Sequence, residues 1–450
     1  MKIVIIGAGL TGLSAAENLL KSKADVRIFE KSFAAGGLAH TVEVNGIRHD
    51  YTGHFLHLHD DAIRKKILKD ILALSKKEEN SILVHRKSFI YLKEKFIPFP
   101  FQAHMYYLPD NLKKECLREF LKTLNTVKKD KKKDFLDWMT NEYGSGITRY
   151  FMKPYNAKVW QMNSKELKEI TTNVIRRFFP HPSPEEIIDG AVTDRIISTG
   201  YNADFYYPRT GIHELVGKYT EKVGNIELES KVEKVYWKKK KIIASGKEYD
   251  YDFLINTSPL KEFVLNILEP KNESLKKQAA KLRYSSVLNI TVGWQGGAGP
   301  ALRKKMTKGA HWIYFPEEKY DFYRVGFYPA ISKKMAPRGC YSCYVEIAYR
   351  EGGLPKQKDY KKIQQKVVKK LKRIEVIPEQ AKIIQVPIQP IKPAYVLYDN
   401  NWESSRKKIF GFLENNDIYS GGRYGAWEYS SMDQAIKWGA KLAKKCLSKK

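Results

Sequence analysis

The sequence predicts an α/β protein in which a parallel-sheet domain is interrupted by an inserted helical domain and a central antiparallel β-sheet domain. Three observations predict this. The first thirty residues read as a strand, a glycine turn, a helix and a second strand; residues 109–188 carry helical periodicity; and alternating stretches between residues 287 and 349 are followed, near the end, by another strand, glycine turn and helix.

Residues 2–6 are dominated by a β-branched run suited to a buried parallel strand. Gly7, Gly9 and Gly12 follow with G-x-G-x-x-G spacing. The first glycine permits the tight turn, the second lets the backbone approach a pyrophosphate, and the third lets the helix at 13–20 pack on the strand. A phosphate then sits on the positive end of that helix. Glu30, at the end of a strand at 25–29, is placed to accept hydrogen bonds from an adenosine ribose, so the opening reads as a Rossmann-like dinucleotide site. The glycines, and Glu17 among them, argue against a signal peptide. A second glycine pair, Gly36-Gly37, allows another close approach of backbone to cofactor, as flavin enzymes use. Residues 418–427, IYSGGRYGAW, run into a helix at 431–447, a unit that returns to cover a flavin. FAD is therefore expected rather than NAD.

A chain of 450 residues needs two or three lobes, and a hydrophobic share of 43% suits a folded globular protein. No run of about 18 apolar residues is present, so no transmembrane segment is expected. Cys116, Cys340, Cys343 and Cys446 are too few and too scattered for a disulfide framework, which fits a reducing, cytoplasmic compartment. Cys340 and Cys343 fall on opposite faces of a strand-like stretch, and no second C-x-x-C exists, so no metal site is expected. The formal charge of +30 arises from 80 basic and 50 acidic residues. Its lysine runs, 128–133 and 238–241, lie in a polar linker and at a hairpin turn, and no nucleic-acid recognition motif accompanies them. Nucleic acid is not an expected partner; the excess charge would steer an anionic substrate or touch an anionic membrane surface.

The remaining elements follow in order. A lysine-rich helical region covers 61–77, and short strands lie around 82–98. Apolar residues at three and four spacing mark helices at 116–124 and 135–139. Ser183, Pro184, Glu185 and Glu186 give an N-cap, a first-turn proline and acids on the positive end of the dipole. Strands resume at 226–237 and 251–257, and alternation at 287–292, 312–315, 323–327 and 341–349 gives the antiparallel sheet. The expected division is a cofactor domain at 1–80, 201–262 and 401–450, a helical substrate domain at 81–200, and a sheet domain at 263–400.

Four segments carry the chemistry: IPFPFQ at 97–102, YFMKPYNAKVWQ at 150–161, WIYFPEEKYDFYR at 312–324 and GRYGAWEY at 422–429. Together, in collinear order over most of the chain, they resemble the UDP-galactopyranose mutase family, closer to its eukaryotic-type branch than to the short bacterial one. That family lies within the FAD-dependent amine oxidase and protoporphyrinogen oxidase-like superfamily, whose cofactor domain is of the GR2 type. PYN-x-KVW and W-x-YFPE…FYR are the specific motifs, whereas GxGxxG and GRYG recur across FAD oxidoreductases.

The resemblance implies FAD, active as reduced FADH−, held by Gly7, Gly9, Leu10, Thr11, Gly12, Glu30, Lys31, Gly36, Gly37, Leu38, Gly53, His54, Val232, Gly422, Arg423, Met432, Asp433 and Gln434. It implies that Arg324 and one of Arg176 and Arg177, with Arg176 slightly preferred, clamp a diphosphate, a task the planar guanidinium fork performs better than lysine. Tyr314, Tyr395 and Tyr429 would reach the same diphosphate; Phe99, Phe101 and Gln102 would hold uracil; Asn156, Trp160 and Asn202 would line the sugar and nucleotide pocket. Taken singly, Tyr395 and Trp160 read as core aromatics. Arg324, Arg176 and His54 are the implied catalytic residues. His57 and His59 share a face opposite His54 if the stretch is a strand, so the three do not read as a metal site. The chain has Thr52 where the family has glycine, and Asp433 where it has asparagine; at a helix start Asp433 reads as a cap.

The reaction so implied interconverts UDP-galactopyranose and UDP-galactofuranose without net redox, with flavin N5 as nucleophile. A UDP-sugar is the expected partner, NAD(P)H or another reductant would supply electrons, and a homo-oligomer is compatible with the sequence. Two other readings stand beside it: a mutase for another nucleotide-diphosphate sugar, and an FAD-dependent oxidoreductase of amines or polyenes. A non-enzymatic nucleotide-binding or surface role ranks third.

Overall fold

A computed structural model describes residues 1–71, 81–125, 134–197 and 203–449. Its first sheet is parallel, with Ile418–Ser420, Phe253–Asn256, Lys2–Ile6 and Asp25–Phe29 side by side in that order. Ile3 to Ile6 are buried, as a strand covered on both faces requires. The helix Leu10–Leu20 packs on this sheet and against the last helix, Met432–Leu447, so the chain's two ends meet around the glycine turn. The contact is close because Gly439 has no side chain: a Cβ there would stand 2.4 Å from the Thr11 carbonyl oxygen. The Thr11 and Ser14 hydroxyls donate across the seam to the carbonyls of Ala435 and Ile436, at 3.0 and 2.9 Å.

The second sheet has seven strands, ordered Ile383–Val396, Tyr284–Gln295, Cys340–Arg350, Arg324–Gly326, Trp312–Tyr314, Ser88–Leu92 and Lys95–Pro98. All neighbours are antiparallel except Trp312–Tyr314 with Ser88–Leu92. Residues 88–98 thus join this sheet although they stand at the head of the helical segment in sequence. The edge strand Ile383–Val396 was not legible from alternation because Pro387, Pro390 and Pro393 interrupt it. An edge position tolerates prolines, whose missing N–H would leave a gap in a central ladder. One row of the sheet is polar: Tyr314 pairs with Arg324, Arg324 with Glu346, Glu346 with Asn289 and Asn289 with Gln389. Directly opposed residues point to the same face, so these five side chains form a line across the strands.

The helical segment packs on the seven-stranded sheet through Lys153–Trp160, which meets Tyr284–Gln295 and Cys340–Arg350. Leu112, Cys116 and Phe120 of Asp110–Leu124 face Phe135, Trp138, Met139, Tyr143 and Ile147 of Phe135–Ile147 in one core. The helix Pro184–Val192 starts as its sequence requires: Ser183 accepts from Glu186 N–H, Glu186 Oε2 accepts from Ser183 N–H, and Pro184 takes the first position. Residues 61–77 yield the helix Asp61–Lys65 and a wider turn, Lys66–Ile71; the rest of that stretch, the lysine run at 128–133 and Asn202 lie outside the described residues. Among the described residues no helix is long and apolar enough to cross a membrane.

Candidate active site

The glycine turn lies at the carboxyl end of Lys2–Ile6. Gly7 has φ +97°, a conformation that L side chains rarely adopt. A Cβ on Gly12 would lie 2.0 Å from the Gly7 carbonyl oxygen, so the third glycine sets the approach of helix to strand. Gly9 differs, since nothing stands within 4 Å of its Cβ position. Gly9 also heads the helix without a side-chain cap, which leaves first-turn N–H groups facing open space. Gly36 N–H donates to the Ala8 carbonyl at 2.8 Å, and Gly37 is exposed with only the Gly9 Cα near its Cβ position. The Glu30 carboxylate accepts from Ala8 N–H and Ser32 N–H, both at 2.9 Å, and is thereby held at the end of its strand.

The C-terminal return closes the other side. Gly422, with φ +81°, packs against Thr11, and Gln434 Oε1 accepts from Ser431 N–H at the start of the last helix. Ser431, not Asp433, occupies the N-cap; the buried Asp433 accepts the Ser431 hydroxyl proton instead. Leu10 and Met432 are buried nearby, Leu38 is half-buried and Lys31 exposed, while Val232 is buried at the head of the strand Val232–Tyr236. The uncapped helix, the open space before Gly9 and the acid at Glu30 fit the pyrophosphate and ribose of a dinucleotide.

The second half of the site lies on the polar row of the seven-stranded sheet. Arg324 donates to both oxygens of Glu346, Nε to Oε2 at 2.6 Å and Nη2 to Oε1 at 2.7 Å, and Glu346 is fully buried. Burial alone would lower the arginine pKa, but Glu346 outweighs it and keeps the guanidinium charged. This pairing occupies one edge of the fork and leaves the Nη1 edge for another acceptor. Rings extend from the pair in an arc. Phe101 stacks on Phe151 and Phe151 on Tyr155; Tyr155 meets Tyr314 edge-on at 5.2 Å; Tyr323 meets Tyr395, and Tyr395 stacks on Tyr429 at 6.0 Å. Arg423 lies 4.6 Å from the Tyr429 ring centre, donating to the Ser430 and Ala394 carbonyls.

His54 stands where these halves meet. Its Nδ1 lies 3.1 Å from the Thr52 hydroxyl, and the Thr52 carbonyl accepts from the Tyr328 hydroxyl. The Thr52 hydroxyl therefore orients the imidazole. Gly53 is pressed by the Tyr344 ring: a Cβ there would stand 2.5 Å from its hydroxyl oxygen. Beneath the loop, buried Asp50 accepts from the Thr41 hydroxyl at 2.5 Å and the Tyr207 hydroxyl at 2.8 Å. Burial, then the positive charge of Arg423 and, more weakly, Arg324, push His54 down to about 3, so it is a neutral imidazole. A folded-state pKa below the unfolded value adds stability above the unfolded pKa, and this is lost as pH falls toward the folded value. His54→Gln is therefore expected to lose less stability than the wild type between pH 7 and pH 4. Urea midpoints at the two pH values check this; equal losses would show that His54 takes up no extra proton on unfolding.

The structure thus gathers His54, Arg423, Tyr314, Arg324, Tyr395 and Tyr429. Phe99 joins them, its ring 5.1 Å from Tyr314 and 4.8 Å from the buried Arg86 guanidinium. Phe101, fully buried, and Trp160, against Phe135, belong to the core. Gln102 and Asn156 are buried and donate to the Pro180 and Met152 carbonyls. Arg176 and Arg177 are both exposed on the turn Arg176–Phe178, but they face different neighbours. Arg177 lies over Phe178, whose ring meets Tyr429 edge-on at 4.9 Å, and its charge bears on Tyr398; that of Arg176 bears on Tyr143. Sequence reasoning missed Glu346, Tyr155, Tyr323 and Arg86. Glu346 had a signal, as the lone acid between residues 341 and 349 in an otherwise apolar alternation. His57 and His59 do not lie in a strand; their rings are parallel, 6.3 Å apart, and among the described residues no cluster of three or more His, Cys, Asp or Glu is disposed to hold a metal.

Comparison with known proteins agrees with this architecture. The chain superposes over its whole length, and 96% of the other, on a reduced UDP-galactopyranose mutase, with TM-score 0.90 and 24% identity. It superposes equally completely on a protein assigned as a protoporphyrinogen oxidase from Exiguobacterium sp. 255-15, covering 99% of that chain with TM-score 0.74 and 15% identity. These likenesses show the fold, a cofactor-type parallel sheet joined to a larger sheet. A 1-hydroxycarotenoid 3,4-desaturase from Flavobacterium sp. (strain P99-3) is 47% identical over 49 residues, which span 11% of this chain and 10% of that protein. The profile of the family described as flavin containing amine oxidoreductase matches residues 10–406, nearly the whole length. The chain belongs to that family of flavoenzymes.

Proposed function

We propose that the protein is a flavin-dependent nucleotide-sugar mutase interconverting UDP-galactopyranose and UDP-galactofuranose. The observation that carries this reading is the charged Arg324, braced by Glu346, with Tyr314 paired opposite it, Tyr395 acting on its charge and Tyr429 stacked on Tyr395, beside the neutral His54. Such a set of side chains suits a diphosphate better than an amine or a polyene, since a cation would meet two arginines and a hydrocarbon would bury their charge. FAD would lie from the Gly9 cradle toward His54, with Glu30 at its ribose and Gly422, Arg423 and the start of the last helix closing over it. When bound and reduced, it would supply a nucleophilic nitrogen for the anomeric carbon and be returned unchanged, so a reductant such as NAD(P)H is needed only to charge it.

The chain's own residues then meet the demands of this exchange. The bond from the anomeric carbon to the diphosphate must break and later re-form while the ring oxygen changes from O5 to O4. Arg324, through its unpaired Nη1 edge, and the three phenols hold the departing diphosphate and offset its growing charge. Arg177, which lies toward Tyr429, is proposed as the second clamp in preference to Arg176. Phe99 offers a ring face to uracil, and Gln102, its amide donating to Pro180, keeps an acceptor oxygen for the base. Neutral His54 orients the flavin without repelling Arg324 or Arg423, and the aromatic arc keeps water from the open sugar.

The test is direct. Flavin-loaded protein reduced with dithionite is expected to convert UDP-galactofuranose to UDP-galactopyranose under anaerobic conditions, as followed by chromatography. Conversion of a different nucleotide sugar alone would change the substrate. Oxygen consumption with an amine or polyene, and no sugar conversion, would overturn the mutase reading in favour of an oxidase.

A further inference from the structure

The strands that carry Tyr314 and Arg324 form a hairpin with Tyr314 and Arg324 paired opposite each other. Its connection, residues 315–323, is too long for a tight turn, and its backbone carbonyls are not used up by a ladder. Four of them converge on one side chain. Lys158 Nζ donates to the carbonyls of Phe315 at 2.7 Å, Glu317 at 2.6 Å and Tyr320 at 2.9 Å, with that of Phe322 at 3.4 Å. An ammonium has three protons on a tetrahedral nitrogen, which suits a converging set of carbonyls as a planar guanidinium does not.

Lys158 sits one turn beyond Tyr155 on the helix Lys153–Trp160, so the two side chains share a helix face. Tyr155 touches the hairpin stem, its ring 5.2 Å from Tyr314 and 6.3 Å from Tyr323. One short helix therefore holds the stem through a ring and the loop through the Lys158 amino group, whose pKa burial lowers to about 7. The loop's aromatic residues cannot do the second task. Phe315, Tyr320 and Phe322 are buried on each other and on Tyr91, contacts that fix the depth of the loop, and at its exposed side Lys370 donates to the Lys319 carbonyl at 2.8 Å and to Asp321 at 2.7 Å. Non-directional packing of that kind permits sliding, whereas hydrogen bonds to one nitrogen do not.

We propose that Lys158 is a positioning residue that fixes the 315–323 loop and thereby sets the spacing of Tyr314 and Arg324 for a diphosphate ligand. The ligand class rests on the nucleotide-sugar reading above; the mechanical role does not. The experiment uses flavin-loaded, oxidised protein, with UDP as probe and calorimetric titration as readout, alongside hydrogen exchange of the 315–323 amides. Lys158→Met is expected to keep its flavin content and flavin spectrum, to exchange faster in 315–323, and to bind UDP on the order of 10-fold more weakly, the usual cost of loosening one hydrogen bond to a charged group. Lys158→Arg keeps a head rich in donors without the tetrahedral geometry. It is expected to fold, to exchange at an intermediate rate and to bind UDP at an intermediate strength, and it decides the matter if the methionine variant does not fold. Unchanged exchange in the arginine and methionine variants, or faster exchange with wild-type UDP affinity, would overturn the proposal. Failure of the wild type to bind UDP would instead overturn the nucleotide-sugar reading, and the exchange rates would still show whether Lys158 fixes the loop.

Discussion

Arg324→Ala is expected to lower mutase turnover by about 10²- to 10³-fold, the usual cost of removing one donor aimed at developing charge, while flavin content stays at the wild-type level. It is also expected to destabilise the fold by about 3–5 kcal/mol, because Glu346 is fully buried and would be left as an unpaired carboxylate. The two losses are separable. Replacing both members with apolar side chains of similar volume, as in Arg324→Met with Glu346→Leu, removes the orphaned charge and should recover most of the stability, because such exchanges are often neutral. Turnover should not recover. Urea midpoints and kcat/KM of the reduced, flavin-loaded proteins give both quantities. An alanine variant that is full of flavin and turns over normally would remove Arg324 from the mechanism.

The glycine turn yields the second large effect, as a contrast between neighbours. Gly12→Ala must place a methyl carbon 2.0 Å from a main-chain oxygen of Gly7, and backbone at that point cannot move without pulling the helix Leu10–Leu20 off the sheet. A loss at or beyond the upper end of the 1–3 kcal/mol typical of overpacking, about 3 kcal/mol, is expected even without cofactor. Gly9→Ala meets no protein atom within 4 Å, and its backbone lies in the extended region open to any residue. Its apo-protein should melt within a degree or two of the wild type, yet the methyl group occupies the space through which a pyrophosphate would approach, so flavin per chain should fall to a small fraction. Apo-protein thermal melts and flavin absorbance after denaturing release distinguish the two. A Gly9→Ala protein that purifies with stoichiometric flavin would show that the cofactor does not approach there.

The glycine motif, the first strand, Glu30 and the capped helix at Ser183 were legible in the sequence because each is decided within a few residues. The strands of the large sheet were legible only in part. Residues 341–349 alternate and show themselves, whereas 383–396 contains three prolines that local rules assign to a loop, and its place at the sheet edge is a tertiary fact. The site divides in the same way. Arg324 and the phenols lie in motifs that can be matched, but the partnership of Arg324 with Glu346 depends on strand register across 22 positions of sequence. Phe101 and Trp160 show the reverse case, since an aromatic in a motif looks the same whether it faces a ligand or the core. The difference between Arg176 and Arg177 is likewise invisible in sequence, because adjacent residues on a tight helical turn point to different neighbours.

The polar row across the seven-stranded sheet also bears on folding fidelity. Strand side chains alternate between faces, so sliding any one of these strands by a single residue would carry its member of the row, Tyr314, Arg324, Glu346, Asn289 or Gln389, to the opposite side. A misregistered sheet would strand the Glu346 carboxylate without its guanidinium and push a guanidinium into the apolar layer formed by Ile313, Val325 and Val345. In a strand buried on both faces, such as Tyr284–Gln295, apolar residues pin the register less firmly, because a slip exchanges one buried side chain for another. The groups proposed to hold the ligand therefore act earlier in the life of the chain as a register mark, penalising the wrong pairings while the sheet assembles and before any substrate is present.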